Sequence, residues 1–111
     1  MTKYIPERGD LVALTFDPQS GHEQKGRRPA LVISHHLFNR HTGLAIVCPI
    51  TTTQRGFPFH VAVTGCPKVI GFVMVEQVKS IDFRARKAQR IAKVPQPVLE
   101  EALSILGACI Y

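Results

Sequence analysis

An antiparallel β-barrel or sandwich closed by one C-terminal helix is predicted by three features of the sequence. Short apolar or β-branched runs recur between turn residues, the gaps between them leave little space for helices, and the hydrophobic period lengthens only after Pro95. The 111 residues fit one compact domain over 1–111, and 45% apolar against 20% charged residues is ordinary for a globular core. Disorder and collagen-like repeats are excluded.

Residues 9–16 (GDLVALTF) and 29–34 (PALVIS) read as the first two strands, each bounded by turn residues. Residues 44–50 (LAIVCPI), 59–63 (FHVAV) and 71–75 (GFVMV) continue the pattern. Residues 78–83 (VKSIDF) and 89–94 (QRIAKV) are two further strands, with their basic residues expected at positions that alternate away from the core. Beyond Pro95 a helix is predicted: Pro97 suits its first turn, Glu100 and Glu101 are expected at the positive end of its dipole, and Leu99, Ala102, Leu103 and Leu106 repeat at helical spacing. His35, His36 and His41 surround a predicted turn, match no zinc-ligand spacing and read as surface residues. Phe59 reads by default as a core residue, with stacking on unpaired bases as its alternative role.

Charge narrows the class of partner. Fourteen Lys and Arg against eight Asp and Glu give a net charge of +6, a balance that favours polyanions. Lys79, Arg84, Arg86, Lys87, Arg90 and Lys93 face only Asp82 within residues 79–93, so this window holds +5 of the excess. Three cysteines, Cys48, Cys66 and Cys109, form no CxxC pair and suit a reducing compartment. No stretch approaches the roughly 18 apolar residues of a membrane span, and the N-terminus lacks an apolar signal core, so a cytoplasmic protein with no membrane partner is expected.

Two polar, Gly-containing connections hold the residues suited to chemistry, 17–28 (DPQSGHEQKGRR) and 51–58 (TTTQRGFP). In the first, Glu23 stands near Lys25, Arg27 and Arg28, and Pro29 fixes the entry to the next strand, so Arg28 is expected to be held more firmly than Lys25. A guanidinium presents a planar set of donors to phosphate oxygens and stays protonated, which makes it a phosphate clamp and a poor base; a surface salt bridge with Glu23 is the alternative role. In the second, Thr51 and Thr52 follow a strand end, where a hydroxyl can donate to an oxyanion or simply cap the turn. Phe16 and Phe57 border the loops and could stack on unpaired bases. His22 adjoins Glu23 as a candidate acid or base. No P-loop, GxGxxG, HExxH or nucleophile-elbow signature occurs, and neither cofactor nor metal is expected.

Three blocks in order, GDLVALTFDPQSGHEQKGRRPALVIS, CPITTTQRGFPFHV and GFVMVEQVKSIDFRARKAQRI, resemble the MazF/PemK family of toxin endoribonucleases, nearest its MazF branch. The resemblance implies an SH3-like β-barrel with a C-terminal helix, a homodimer, and metal-independent cleavage of single-stranded RNA by 2′-hydroxyl attack. It also implies a MazE-like antitoxin whose acidic C-terminal tail competes with RNA. Carried over to this sequence, the catalytic set is Glu23, Arg28 and Thr51. The RNA contacts expected with it are Phe16, Gln24, Lys25, Thr52, Arg55, Phe57, Gln77, Lys79, Arg84 and Arg86. Two rivals are a CcdB-like gyrase poison, poorly matched by a chain that ends GACIY without any Trp, and a nucleic-acid-binding barrel without catalysis.

Overall fold

The computed structural model describes residues 3–16 and 26–111. Among them the chain runs β1 (Asp10–Thr15), β2 (Arg27–Val32), α1 (His36–Thr42), β3 (Leu44–Thr51), β4 (His60–Ala62), β5 (Phe72–Met74), a 3-10 turn (Val75–Gln77), β6 (Lys79–Asp82), β7 (Gln89–Lys93) and α2 (Gln96–Ile110). Each predicted strand is present, most of them shorter than its apolar run. All pairings are antiparallel, in the order β4-β5-β3-β2-β1-β7, with β6 added to β3.

Strand β3 organises the sheet. One edge meets β2, while the other pairs first with β6 (Leu44 opposite Asp82) and then with β5 (Thr51 opposite Phe72). Both faces of the sheet are covered. Leu11, Leu31, Cys48, Ile50 and Val73 pack with Val98, Leu99 and Ala102 of α2 on one side. Val12, Leu14, Ala30, Val32, Val47, Ile81 and Phe83 fill the other. Residues of opposite parity are therefore both buried, which is why the strands read as continuous apolar runs.

Three expectations need correction. The segment predicted as a histidine-bearing turn is the helix α1, closed by Gly43 in the left-handed conformation at φ 75°. Seven residues are too few to display a hydrophobic period; a buried polar group holds the helix instead. Asn39, fully buried, donates Nδ2 to the Pro6 carbonyl at 2.8 Å, and its Oδ1 accepts from Ser34 Oγ at 2.5 Å. Second, the first turn of α2 contains no acid. Glu100 and Glu101 lie a turn deeper than the dipole argument requires. Third, basic residues do not simply alternate outward, because Lys79 shares the parity of buried Ile81 and Phe83.

Strand β7 departs from alternation too. Ala92 faces Leu11 while Arg90 faces Val12, so Ile91 is an extra residue in a bulge. The bulge resets the parity and brings Arg90 and Lys93, three residues apart, to the same carboxylate. Arg90 Nε lies 3.3 Å and Lys93 Nζ 3.5 Å from Oδ1 of Asp10, which is 2% exposed. Tyr4 Oη donates to Asp10 Oδ2 at 2.5 Å, as does the Glu7 amide at 3.0 Å. Burial and this bond to the carboxylate push the Tyr4 hydroxyl well above its ordinary range.

Candidate active site and nucleic-acid interface

The last paired residues of β2 and β3 are Ala30 and Pro49. One pleat further on the same register stand Arg28 and Thr51. Here the ladder opens: Arg28 pairs with Leu14 of β1, and Thr51 with Phe72 of β5. The two residues predicted to act on phosphate thus occupy neighbouring strand ends.

The Arg28 side chain is exposed and makes no hydrogen bond or ion pair with the described residues. The expected comparison with Lys25 lies outside the described residues, but Arg28's neighbour is the more firmly bonded of the two arginines. Arg27 faces Thr15 across β1 and donates to the carbonyls of Ala13 (3.0 Å) and Arg86 (3.4 Å), to Thr15 Oγ1 (3.3 Å) and to Gln89 Oε1 (3.2 Å). Adjacent strand residues point to opposite faces, so Arg27 fixes the backbone while Arg28 presents its guanidinium to solvent. Sequence reasoning grouped both as loop cations; their position in a strand is what separates their roles.

Beside Arg28 opens a cavity of about 290 Å³ with an apolar wall that includes Ala13, Pro29, Ile70 and Ile91, and with Arg27, Arg28 and Lys68 as its cations. Thr51 does not line it. At the end of β3, Thr51 Oγ1 accepts the Thr53 amide at 3.2 Å, an ST-turn that orients the hydroxyl. Gly71 at φ 150°, just before β5, lets the chain approach this residue, since a Cβ there would meet the Thr51 carbonyl oxygen.

Glu23, Gln24, Lys25 and His22 lie outside the described residues. Both ends of their segment are held: the Phe16 amide donates to the Gly26 carbonyl at 3.0 Å, and Arg86 donates to the carbonyls of Thr15 (3.2 Å) and Phe16. Arg86, expected to touch RNA, therefore has donors engaged in structure.

The remaining expected contacts form two groups. Lys79 lies over the Phe16 ring, its Nζ 5.4 Å from the centroid, and Arg84 flanks the Phe83 ring at 5.8 Å. Around the second loop, Thr52, Arg55 and Phe57 are exposed, and Gln77 is exposed at the end of the 3-10 turn. Phe59, expected in the core, is 42% exposed. Arg90 and Lys93 are turned to Asp10 and Arg86 to the Thr15 and Phe16 carbonyls, so within the cationic window of the sequence these three serve structure while Lys79 and Arg84 stay exposed. His60 and Glu76, not singled out by sequence reasoning, meet beside Phe57 at Nε2 to Oε2 3.0 Å. No three His, Cys, Asp or Glu side chains among the described residues gather as metal ligands.

Comparison with known proteins identifies relatives of this chain and of its fold. Residues 7–110 match the family described as PemK-like, MazF-like toxin of type II toxin-antitoxin system. The endoribonuclease toxin MazF of Escherichia coli K12 is 40% identical over 90% of this chain and 89% of its own. The endoribonuclease toxin ChpB of the same organism is 45% identical over 94% and 93%. Among solved structures, MazF from Deinococcus radiodurans superposes with a TM-score of 0.87 at 44% identity, covering 97% of this chain and 98% of that one. MazE–MazF from the same organism superposes with a TM-score of 0.86 at 38% identity, covering 97% of each chain. By sequence and by fold alike, this chain belongs to the PemK-like, MazF-like toxins of type II toxin–antitoxin systems, a family of toxin endoribonucleases.

Proposed function

We propose that the chain cleaves single-stranded RNA at short sequence motifs without a metal ion. A ribose 2′-hydroxyl gives up its proton and attacks the adjacent phosphorus, the bond to the 5′ oxygen breaks, and that oxygen is protonated as it leaves. The products are a 2′,3′-cyclic phosphate and a 5′-hydroxyl. The observation that carries the reading is an exposed Arg28, its side chain unpaired among the described residues, one pleat past the β2–β3 ladder at the register of Thr51.

In this mechanism Arg28 neutralises the charge that builds on the phosphorane, and the Thr51 hydroxyl donates to a non-bridging oxygen. Neither is suited to remove the proton, since a guanidinium stays protonated at any ordinary pH and a neutral alcohol is a far weaker base than a carboxylate. Glu23 is assigned that step, or the positioning of its loop. Phe16, Thr52, Arg55, Phe57, Gln77, Lys79 and Arg84 offer cations, polar groups and aromatic faces along one strand of RNA, joined by Gln24 and Lys25 of the first loop.

The positive surface suits an antitoxin with an acidic tail that occupies the phosphate positions competitively, on a toxin that works as a homodimer in the cytoplasm. Incubating the purified chain with a long RNA in EDTA and mapping 5′ ends tests the activity. Cuts bearing 5′-hydroxyls are expected; trapped gyrase without cuts would identify a poison, and retained but intact RNA a binding barrel.

A further inference from the structure

The loop from Thr51 to His60 carries Phe57, an exposed ring with 49% of its surface open to solvent. An aromatic side chain on a loop serves as a stacking platform only if its plane is held. His60 supplies the support. Its ring centroid lies 5.1 Å from that of Phe57, tilted by 55°, and its amide donates to the Phe57 carbonyl at 3.1 Å. Its side chain is 4% exposed, with Nε2 on Glu76 Oε2 at 3.0 Å. Glu76 in turn sits in the 3-10 turn, whose first residue, Val75, donates its amide to the Phe59 carbonyl at 3.1 Å. Backbone and side-chain contacts thus tie the loop to that turn at two points.

The chemistry of the imidazole argues that it does more than fill space. A carboxylate only accepts, so Nε2 carries the proton; Nδ1 is buried and has no partner among the described residues. A buried nitrogen left unsatisfied is costly, and an apolar side chain would occupy the site without that cost. What an apolar side chain cannot do is lock one orientation by a directed bond to Glu76 while offering a flat face to Phe57.

We infer that His60, oriented by Glu76, is a positioning residue that holds Phe57 as the stacking platform for one unpaired base of the bound nucleic acid. This deepens the proposed RNA-cleaving function and rests on it.

The test uses the full chain with two probes: a cleavable RNA oligonucleotide containing the mapped cut site, and its uncleavable 2′-O-methyl counterpart. Stacking of one base typically changes affinity by about tenfold. Phe57→Ala and His60→Gln are each expected to weaken binding of the 2′-O-methyl probe about tenfold and to raise KM similarly, with kcat within about twofold of the parent. The double variant should lose no more than either alone, because both changes remove one platform. Glu76→Gln, which keeps a hydrogen-bonding partner for Nε2, should largely preserve affinity, whereas Glu76→Ala should not. Equal thermal transitions in all variants separate positioning from folding. Unaltered KM and binding in His60→Gln, or losses that add fully with Phe57→Ala, would overturn the inference while leaving cleavage by the parent intact. A parent chain that binds but never cuts would refute the enzymatic reading and leave the platform supported by the binding series; a parent that binds neither probe would overturn both.

Discussion

A Cβ added to Gly71 would lie 2.5 Å from the carbonyl oxygen of Thr51, closer than real side chains come to backbone, and 2.9 Å from Cγ2 of Ile50. The end of β3 can approach β5 so tightly only because position 71 has no side chain and holds φ at 150°. Gly71→Ala should therefore destabilise the fold by about 1–3 kcal/mol and displace Thr51, lowering RNA cleavage beyond what the lost stability explains. Denaturant midpoints and cleavage rates measured on the same preparation check this; an alanine variant equal to the parent in both would refute it.

Arg27 and Arg28 should separate cleanly. Arg28→Ala removes an exposed side chain, so stability should stay within about 0.5 kcal/mol while cleavage is lost. Arg27→Ala strips donors from two carbonyls, a hydroxyl and an amide oxygen, and should lower stability by about 1–3 kcal/mol. Paired urea titrations and RNA assays decide it, and the opposite pattern would reverse the two assignments.

Salt dependence should distinguish the two groups of cations. For a single strand, each phosphate neutralised contributes about −0.7 to the slope of log K against log salt concentration. Lys79→Ala should reduce the slope by about that amount, whereas Lys93→Ala should leave it unchanged, because Lys93 is turned to Asp10. Oligonucleotide binding at several salt concentrations measures both slopes.

Removing the carboxylate that gathers Arg90, Lys93, Tyr4 and the Glu7 amide should destabilise the fold. Asp10→Ala leaves the Tyr4 hydroxyl and the Glu7 amide without their acceptor, while half-exposed Arg90 and Lys93 turn to solvent, and should cost about 1–3 kcal/mol. A shift in denaturant midpoint below the equivalent of about 1 kcal/mol would show that solvent screens the cluster.

Burial, reinforced by the negative charge of Glu76, pushes the Cys48 thiol from its ordinary 9 up to about 12. Folding thus favours the protonated thiol, a contribution fully present below the unfolded value and lost as pH rises from about 9 towards 12. The raised Tyr4 hydroxyl acts in the same direction. Stability should fall across that window, less steeply in Cys48→Ala, as denaturant titrations at successive pH values would record. Thiol reagents at neutral pH should label exposed Cys109 at once and Cys48 only on unfolding.

Much of the architecture could be read from the chain because its signals are local. The strand runs from 9–16 to 89–94 and the helix after Pro95 are set by apolar period and turn residues, and the blocks around GRRP and PITT carried the family likeness. Helix α1 escaped notice because Asn39 stabilises it through Pro6 and Ser34, contacts that no periodicity reports. His60 and Glu76 are sixteen positions apart and meet only across the β4–β5 pairing.

By itself the sequence determined the fold class, the family and the residue types available for phosphate chemistry, since composition and short-range pattern encode these. Tertiary structure alone decided which cation is exposed and which is structural among the described residues. Strand parity turns Arg28 outward and Arg27 inward, and the bulge at Ile91 turns Arg90 and Lys93 together onto Asp10. Charge can be counted along a chain, but its availability depends on the acceptors that folding brings within reach.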